Sequence, residues 1–171
     1  MSITIDVIKP EDCFELLDFE LQNRRWFEQH IALRNDDFYN SEGVHNQISE
    51  YRDKYVRGEM IPMLVRDSKG VLCWRLNIHR IDMKAKTCEI GYRTGKAHCG
   101  KGIASLAVSK LVDRVNQTGK IDIINAIVFT KNLGSIKVLQ RNGFIKTSEI
   151  AGGIKFVNIM HPASISSLLL S

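Results

Sequence analysis

Apolar positions recur with a period of two at the start of the chain and a period near 3.6 soon afterwards. Residues Ile3 to Ile8 alternate apolar and polar, which predicts a short strand. Pro10 interrupts it. Asp12 can cap a helix running to about Asn23, with Phe14, Leu17 and Leu21 along its apolar face. Residues Arg24 to Tyr39 follow no period, and Trp26 and Phe27 stand there beside Arg24 and Arg25. Ser41 opens a second helix, with Val44, Ile48, Tyr51 and Tyr55 at helical spacing and Gly58 near its end.

The pattern then switches to strands. Met60 to Arg66 and Val71 to Ile81 flank the turn Asp67-Ser68-Lys69-Gly70, which reads as a hairpin. Lys86 to Arg93 is the next strand. After a glycine-rich stretch, Ile103, Leu106, Ala107, Lys110, Leu111 and Val115 follow helical spacing up to Gly119. Ile121 to Thr130 is nearly all apolar, as a strand buried on both faces would be. Ser135 to Arg141 reads as a short helix stopped by Asn142-Gly143. Strands at about Phe144 to Ile150 and Ile154 to His161 flank Gly152-Gly153. The order β-α-α-β-β-β-α-β-α-β-β mixes hairpins with crossover helices. It predicts an α/β fold with a mixed central sheet covered by helices.

Composition narrows the class. Residues 1–171 contain no repeat or linker-like tract and are expected to form one domain. No apolar run approaches the roughly 18 residues of a membrane span. The start of the chain lacks the basic-then-apolar pattern of a signal peptide. A cytoplasmic protein without a membrane partner is therefore expected. Cys13, Cys73, Cys88 and Cys99 are widely spread with no CxxC pair, so four free thiols are expected. The net charge of +5 is dispersed, which favours an anionic ligand over dedicated nucleic-acid binding.

The chemistry concentrates between Cys88 and Ala104, in CEIGYRTGKAHCGKGIA. A strand runs into a loop with Gly95, Gly100 and Gly102, and the loop opens a helix. Helix starts leave N–H groups without intrahelical partners and carry positive dipole character, so this is an anion site suited to phosphate. Gly95 to Gly102, GKAHCGKG, almost fits the nucleotide P-loop, GxxxxGK[ST]. Gly102 cannot supply the hydroxyl that holds magnesium. No later apolar strand ends in an Asp, and three strands precede the loop. These departures weigh against a nucleoside triphosphatase.

A second assignment accounts for more residues. Glu89-Ile90-Gly91-Tyr92 precedes His98-Cys99-Gly100-Lys101-Gly102-Ile103-Ala104. Later come Asn132-Leu133-Gly134-Ser135 and Gly143-Phe144. In this order and spacing the chain resembles the GNAT superfamily of acetyl-CoA-dependent N-acetyltransferases, over nearly its whole length. SIKVLQRNGF after Asn132 looks most like the branch that acetylates N-terminal α-amines of ribosomal proteins. That branch also includes relatives acting on antibiotics and polyamines. His98-Cys99 before Gly100 departs from the usual wording of the loop.

The resemblance implies roles. Acetyl-CoA would be the co-substrate, with no metal. Its pyrophosphate would meet backbone N–H groups of Cys99, Gly100, Lys101, Gly102, Ile103 and Ala104. Ile90, Gly91 and Tyr92 would run beside the pantetheine arm, and backbone there could donate to the thioester oxygen. Asn132 would contact the same arm, besides being placed to cap its own helix. Ser135 is the candidate acid for the departing sulfur. Many relatives use a Tyr one turn later, where this chain has Leu139. Glu89 is the candidate base, acting through water, and His79 is a second one. The structural alternatives are a Ser135 that merely caps its helix and a Glu89 paired with Arg75, Arg80 or Arg93. The resemblance also admits a homodimer.

Other assignments carry less. A nucleophilic Cys99 would need a base beyond adjacent His98. Zinc ligation by Cys73, His79, Cys88, His98 and Cys99 lacks paired close spacing. Trp26, Phe27 and Trp74 could line an acceptor pocket or simply fill the core. The expected function is transfer of acetyl from acetyl-CoA to a primary amine, by direct attack in a ternary complex. A small-molecule amine acetyltransferase and a non-catalytic acyl-CoA-binding module are the alternatives.

Overall fold

The computed structural model describes residues 2–29, 31, 34–151, 154–156, 159–161 and 163–170, with the side chains of 154–156, 159–161 and 163 left aside. The chain runs β1 (Ile3–Val7), α1 (Cys13–Phe27), α2 (Ser41–Val56), β2 (Ile61–Asp67), β3 (Leu72–Asp82) and β4 (Thr87–Thr94). It continues with α3 (Ile103–Asn116), β5 (Ile123–Phe129), α4 (Leu133–Arg141), β6 (Ile145–Glu149), β7 (Ile154–Phe156), β8 (Ile159–His161) and β9 (Ala163–Leu169). Seven strands form one sheet in the order β1-β2-β3-β4-β5-β9-β6. Pairing is antiparallel except between β4 and β5, which are parallel and need a crossover. Helix α3 is that crossover, so the α/β class and the mixed, helix-covered sheet expected from the pattern are what the chain adopts.

Alternation along the strands feeds two apolar layers. Met63, Val65, Leu76, Ile78, Cys88 and Ile90 pack with Ile103, Ala107 and Leu111 of α3 and Leu139 of α4. Leu64 and Leu72 point the other way, into a second cluster with Leu16, Phe19 and Phe27 of α1 and Val44 and Ile48 of α2. The sheet is thus covered by α1 and α2 on one face and by α3 and α4 on the other. Arg66 of β2 fixes α1 at its start, donating to Asp12 Oδ1 at 2.7 Å and to Glu15 Oε2 at 2.5 Å. All four cysteines are free thiols. Among the described residues no helix is long and apolar enough to cross a membrane.

Three expectations need correction. Helix α1 continues past Asn23 to Phe27, and its inward face carries Cys13, Leu16, Phe19, Glu20 and Asn23. Phe14 and Leu21 lie outside, 72% and 46% exposed. The inward face holds two polar residues that bond to the sheet and loop, so hydrophobicity alone selects the wrong stripe. Strand β5 is buried only at alternate positions, Ile124, Ala126 and Val128. Its other face is partly open, and Ile127 and Phe129 contact a cavity.

The third correction concerns the end of the chain. Instead of one strand at Ile154 to His161, β7 and β8 pair only with each other, and β9 enters the main sheet between β5 and β6. Polar β9 contains three serines, and Ser164 and Ser166 are buried there, which hides it from a search for apolar runs. Gly152-Gly153 lies outside the described residues.

The phase of α1 is testable. Leu16 is fully buried, so Leu16→Ala should cost about 2–5 kcal/mol in urea unfolding. Phe14→Ala should stay within about 0.5 kcal/mol. The reverse ranking would place Phe14 in the core.

Candidate active site

Strands β4 and β5 pair at Thr87↔Ile123, Cys88↔Ile124, Glu89↔Asn125 and Ile90↔Ala126, and there the pairing ends. Beyond it β4 stays bonded to β3 as far as Thr94, and β5 stays bonded to β9. The two strands therefore part like a V. A cavity of about 570 Å³ fills the opening. Gly91 to Thr94 form one wall and Ile127 to Phe129 the other. Trp26, Phe27 and Ile31 close it on the α1 side, and Asn132, Ser135 and Leu139 close it on the α4 side. The cavity thus passes through the sheet and connects its two faces.

Helix α1 fastens the loop that follows β4. Trp26 Nε1 donates to Thr94 O at 3.0 Å, and Asn23 Oδ1 accepts from the Lys96 N–H at 2.8 Å. A 3-10 turn at Lys96–His98 then leads to Gly100 and Gly102, which have φ of 74° and 77°. These are left-handed conformations that a Cβ disfavours. Gly102 is the N-cap of α3 and offers no side chain to its first-turn N–H groups, so a ligand anion can take them. Of the expected loop residues, Cys99, Gly100 and Ala104 line the cavity, whereas Ile103 points into the core. Lys101 and Gly102 stand beside it at the helix start.

At the far wall, Asn132 Oδ1 accepts from the Ser135 N–H at 3.1 Å and caps α4. This holds Ser135 at the first turn, facing the opening. The Tyr92 hydroxyl lies 2.7 Å from Ser135 Oγ and 3.3 Å from Ser135 O. Its ring stacks on Trp74, with centroids 5.0 Å apart and planes 9° from parallel. Burial pushes the Tyr92 phenol up to about 12, with the Ser135 hydrogen bond opposing. The phenol is thus a donor at neutral pH, and Ser135 can accept from it while its own hydrogen points elsewhere. In the sequence Tyr92 is expected beside the pantetheine arm, with no role toward Ser135. Its distance of 43 positions from Ser135 leaves no signal of this pairing in the sequence.

Glu89 and His79 occupy the opposite face of the sheet from Tyr92, and neither lines the cavity. Arg80 has φ of 50° where the register of β3 and β4 shifts, and its Nη1 donates to Glu89 Oε2 at 2.9 Å. His79 Nε2 lies 3.6 Å from Glu89 Oε1. A Cβ added to Gly91 would stand 3.2 Å from His79 Nε2. The imidazole therefore lies against the one strand residue whose missing side chain leaves it room, and that residue walls the cavity. Burial holds His79 below its ordinary value, with Glu89 opposing and Arg80 adding.

The remaining candidates fall elsewhere. Trp26 and Phe27 line the cavity, but Trp74 is fully buried in the core beneath Tyr92. Burial pushes the Cys99 thiol up, away from thiolate. Cys73 and His98 meet Asp67, with ligand atoms within 4.8 Å of one another. Asp67 Oδ1 already accepts from the Lys69 and Val71 N–H groups, and burial pushes the Cys73 thiol up. Arg93, expected at most as a partner of Glu89, and Lys131, for which the sequence suggests no role, also line the cavity.

A cavity that crosses the sheet, walled by a bare glycine and ending at a helix start without a side-chain cap, suits a long ligand with a phosphate end. Comparison with known proteins agrees. Residues 3–145 match the model of the acetyltransferase (GNAT) domain. The chain is 31% identical to a probable N-acetyltransferase, YjcK, of Bacillus subtilis (strain 168), over 98% of this chain and 94% of that one. It is 29% identical to the ribosomal-protein-serine acetyltransferase of Escherichia coli (strain K12), over 84% of this chain and 79% of that one. A crystal structure of the microcin C7 self-immunity acetyltransferase MccE, in complex with acetyl-CoA and AMP, superposes with a TM-score of 0.91 at 21% identity. That match covers 98% of this chain and 92% of the chain in that structure. The chain belongs to the GNAT family of acetyl-CoA-dependent N-acetyltransferases.

Proposed function

We propose that this enzyme acetylates a protein N-terminal α-amine of the ribosomal-protein type, by direct attack within a ternary complex. The observation that carries the reading is the Tyr92–Ser135 hydrogen bond at the parting of β4 and β5. Likeness to the ribosomal-protein-serine acetyltransferase supports the acceptor class. So does the chemistry of the acceptor. An α-amine has a reference pKa of about 7.7–8.0 against about 10.4 for Lys, so it asks little of a base near neutral pH.

Acetyl-CoA, when bound, supplies a thioester: the amine nitrogen bonds the acyl carbon, the C–S bond breaks, the amine loses a proton and the sulfur gains one. Cys99 to Ala104 hold the pyrophosphate with backbone N–H groups. Ile90, Gly91 and Tyr92 carry the arm along the free edge of β4, and Asn132 contacts it from α4. Ser135 Oγ holds the hydrogen for the sulfur while accepting one from Tyr92. This replaces the phenol that Leu139 cannot provide. Glu89 holds His79 in place, and the neutral imidazole receives the amine proton across Gly91 through a water. The raised Cys99 thiol supports direct transfer over an acyl-cysteine route.

Ser135→Ala should lower kcat about 100-fold, and Tyr92→Phe about fivefold, the worth of one neutral hydrogen bond. Stopped-flow acetylation measures both, and wild-type rates in the two variants together would remove the pair from the chemistry. Mass spectrometry after incubation with acetyl-CoA and peptides with free or blocked N-termini should find label on free termini. Label on Lys alone would reverse the acceptor class, and label only on small amines would make the enzyme a small-molecule acetyltransferase.

The pH dependence has a definite sign. His79 is neutral in the folded protein where an unfolded imidazole, at about 6.5, would take a proton. Its contribution to stability is complete above about 6.5 and is lost as pH falls toward the folded value. His79 ring protons should titrate below about 6.5 by NMR, and Glu89→Gln should move that midpoint lower still. In kcat/KM, His79→Gln should erase a break below about 6.5 and keep the amine's break near 7.7–8.0. An unchanged low-pH profile would take His79 out of the proton path.

A further inference from the structure

Beneath the α1 wall of the cavity lies a cluster of charge that the acetyl-transfer chemistry does not use. Glu20 of α1 is fully buried. Arg75 Nη1 donates to its Oε1, Arg93 Nη1 donates to its Oε2 at 3.3 Å, and Arg34 Nη2 lies 3.6 Å from Oε1. Three guanidinium groups against one carboxylate leave a surplus of two positive charges. Gln47 accepts from Arg75 at 2.7 Å but is neutral. Tyr39 and Tyr51 are the other titratable groups that couple to Arg34 there. Each guanidinium faces a ring, Arg34 on Phe38, Arg75 on Tyr51 and Arg93 on Phe27, which covers faces and leaves edges. Among the described residues, Arg34 Nε is buried without a hydrogen-bond partner.

Such a surplus is costly in a place this dry, because buried charges need partners. Burial holds the Arg93 guanidinium down to about 10, with Glu20 opposing and Arg34 and Arg75 adding. The residues outside the described set (Met1, His30, Ala32, Leu33, Gly152, Gly153, Val157, Asn158, Pro162 and Ser171) include no Asp or Glu side chain. Of the three arginines, Arg93 is the one that lines the cavity. It does so on the face of α1, opposite Ser135. An anion lying in the cavity can therefore reach the cluster through Arg93, whose side chain is 19% exposed.

We propose that the acetyl acceptor is an amine that also carries an anionic group, a carboxylate or a phosphate, which Arg93 receives at the α1 end of the cavity. Arg34 and Arg75 back it and keep Glu20 from neutralising it. The proposal rests on the cavity being the acetyl-transfer site. Arg93 is here a specificity-determining residue for the acceptor, and it takes no part in moving protons.

Two matched pairs test it and tell the sources apart. One pair is a free-amine peptide with Glu at its second and third positions and the same peptide with Gln. The other is phosphoethanolamine and ethanolamine. The anionic member of at least one pair should show kcat/KM about tenfold or more above its neutral twin, the scale of a charge-assisted hydrogen bond. The pair that does so names the source as acidic peptide or small phosphate-bearing amine. Arg93→Gln should collapse the preference and Arg93→Lys should retain part of it. Equal kcat/KM within both pairs overturns the proposal, as does a preference that Arg93→Gln leaves intact. Calorimetry of the CoA-saturated protein with the N-acetylated products supplies a readout without turnover. Tighter binding of the anionic product with no acetylation of any amine would keep the anion subsite and reject the proposed reaction. Equal binding within both product pairs rejects the subsite. The comparison within wild-type protein decides even where a variant fails to fold.

Discussion

The site depends on two strands that stop pairing. Backbone N–H and C=O groups seek partners, and an interrupted parallel pair forgoes them. Here the interruption comes after Ile90 and Ala126, and each strand keeps its outer partner. The sheet therefore stays continuous while a gap opens inside it. Without the gap, Gly91 and Tyr92 would be ordinary interior strand residues. Ser135 would face a closed sheet, and the loop after Thr94 would have no cavity to serve.

What keeps the gap open is held from outside it. Trp26 and Asn23 tie the end of β4 and the loop to α1. Asn132 fixes the start of α4. On β5 the last residues are paired with β9, so they cannot slide back toward β4. The arrangement separates two environments. Tyr92, Trp74 and Ser135 meet on the α3–α4 face, in an apolar layer that keeps a phenol protonated. His79, Glu89, Arg75 and Arg93 lie on the α1–α2 face, where charge is dense. Alternation along β4 sends successive residues to the two sides, so one short strand supplies both.

How much of this was legible in the sequence depends on range. Element order up to Gly143 followed from periods and breakers, because those are properties of neighbouring residues. The phase of α1 did not, because Glu20 and Asn23 are buried for bonds made to β3, β4 and the loop. Strand β9 was missed for a related reason. Buried Ser164 and Ser166 are acceptable in a central position once β5 and β6 satisfy their backbone, and their polarity conceals the strand.

By itself the sequence determined the glycine loop at a helix start, the Glu89-to-Tyr92 strand before it, and Asn132 three residues ahead of Ser135. These are local patterns, set by φ, by capping and by alternation, and they sufficed for the family and its co-substrate. Only the tertiary structure decided which side chains meet. Tyr92 reaches Ser135 across 43 positions, and Arg93 reaches Glu20 across 73. Those encounters follow from strand register and helix placement, which depend on the whole core at once and leave no mark at any single position.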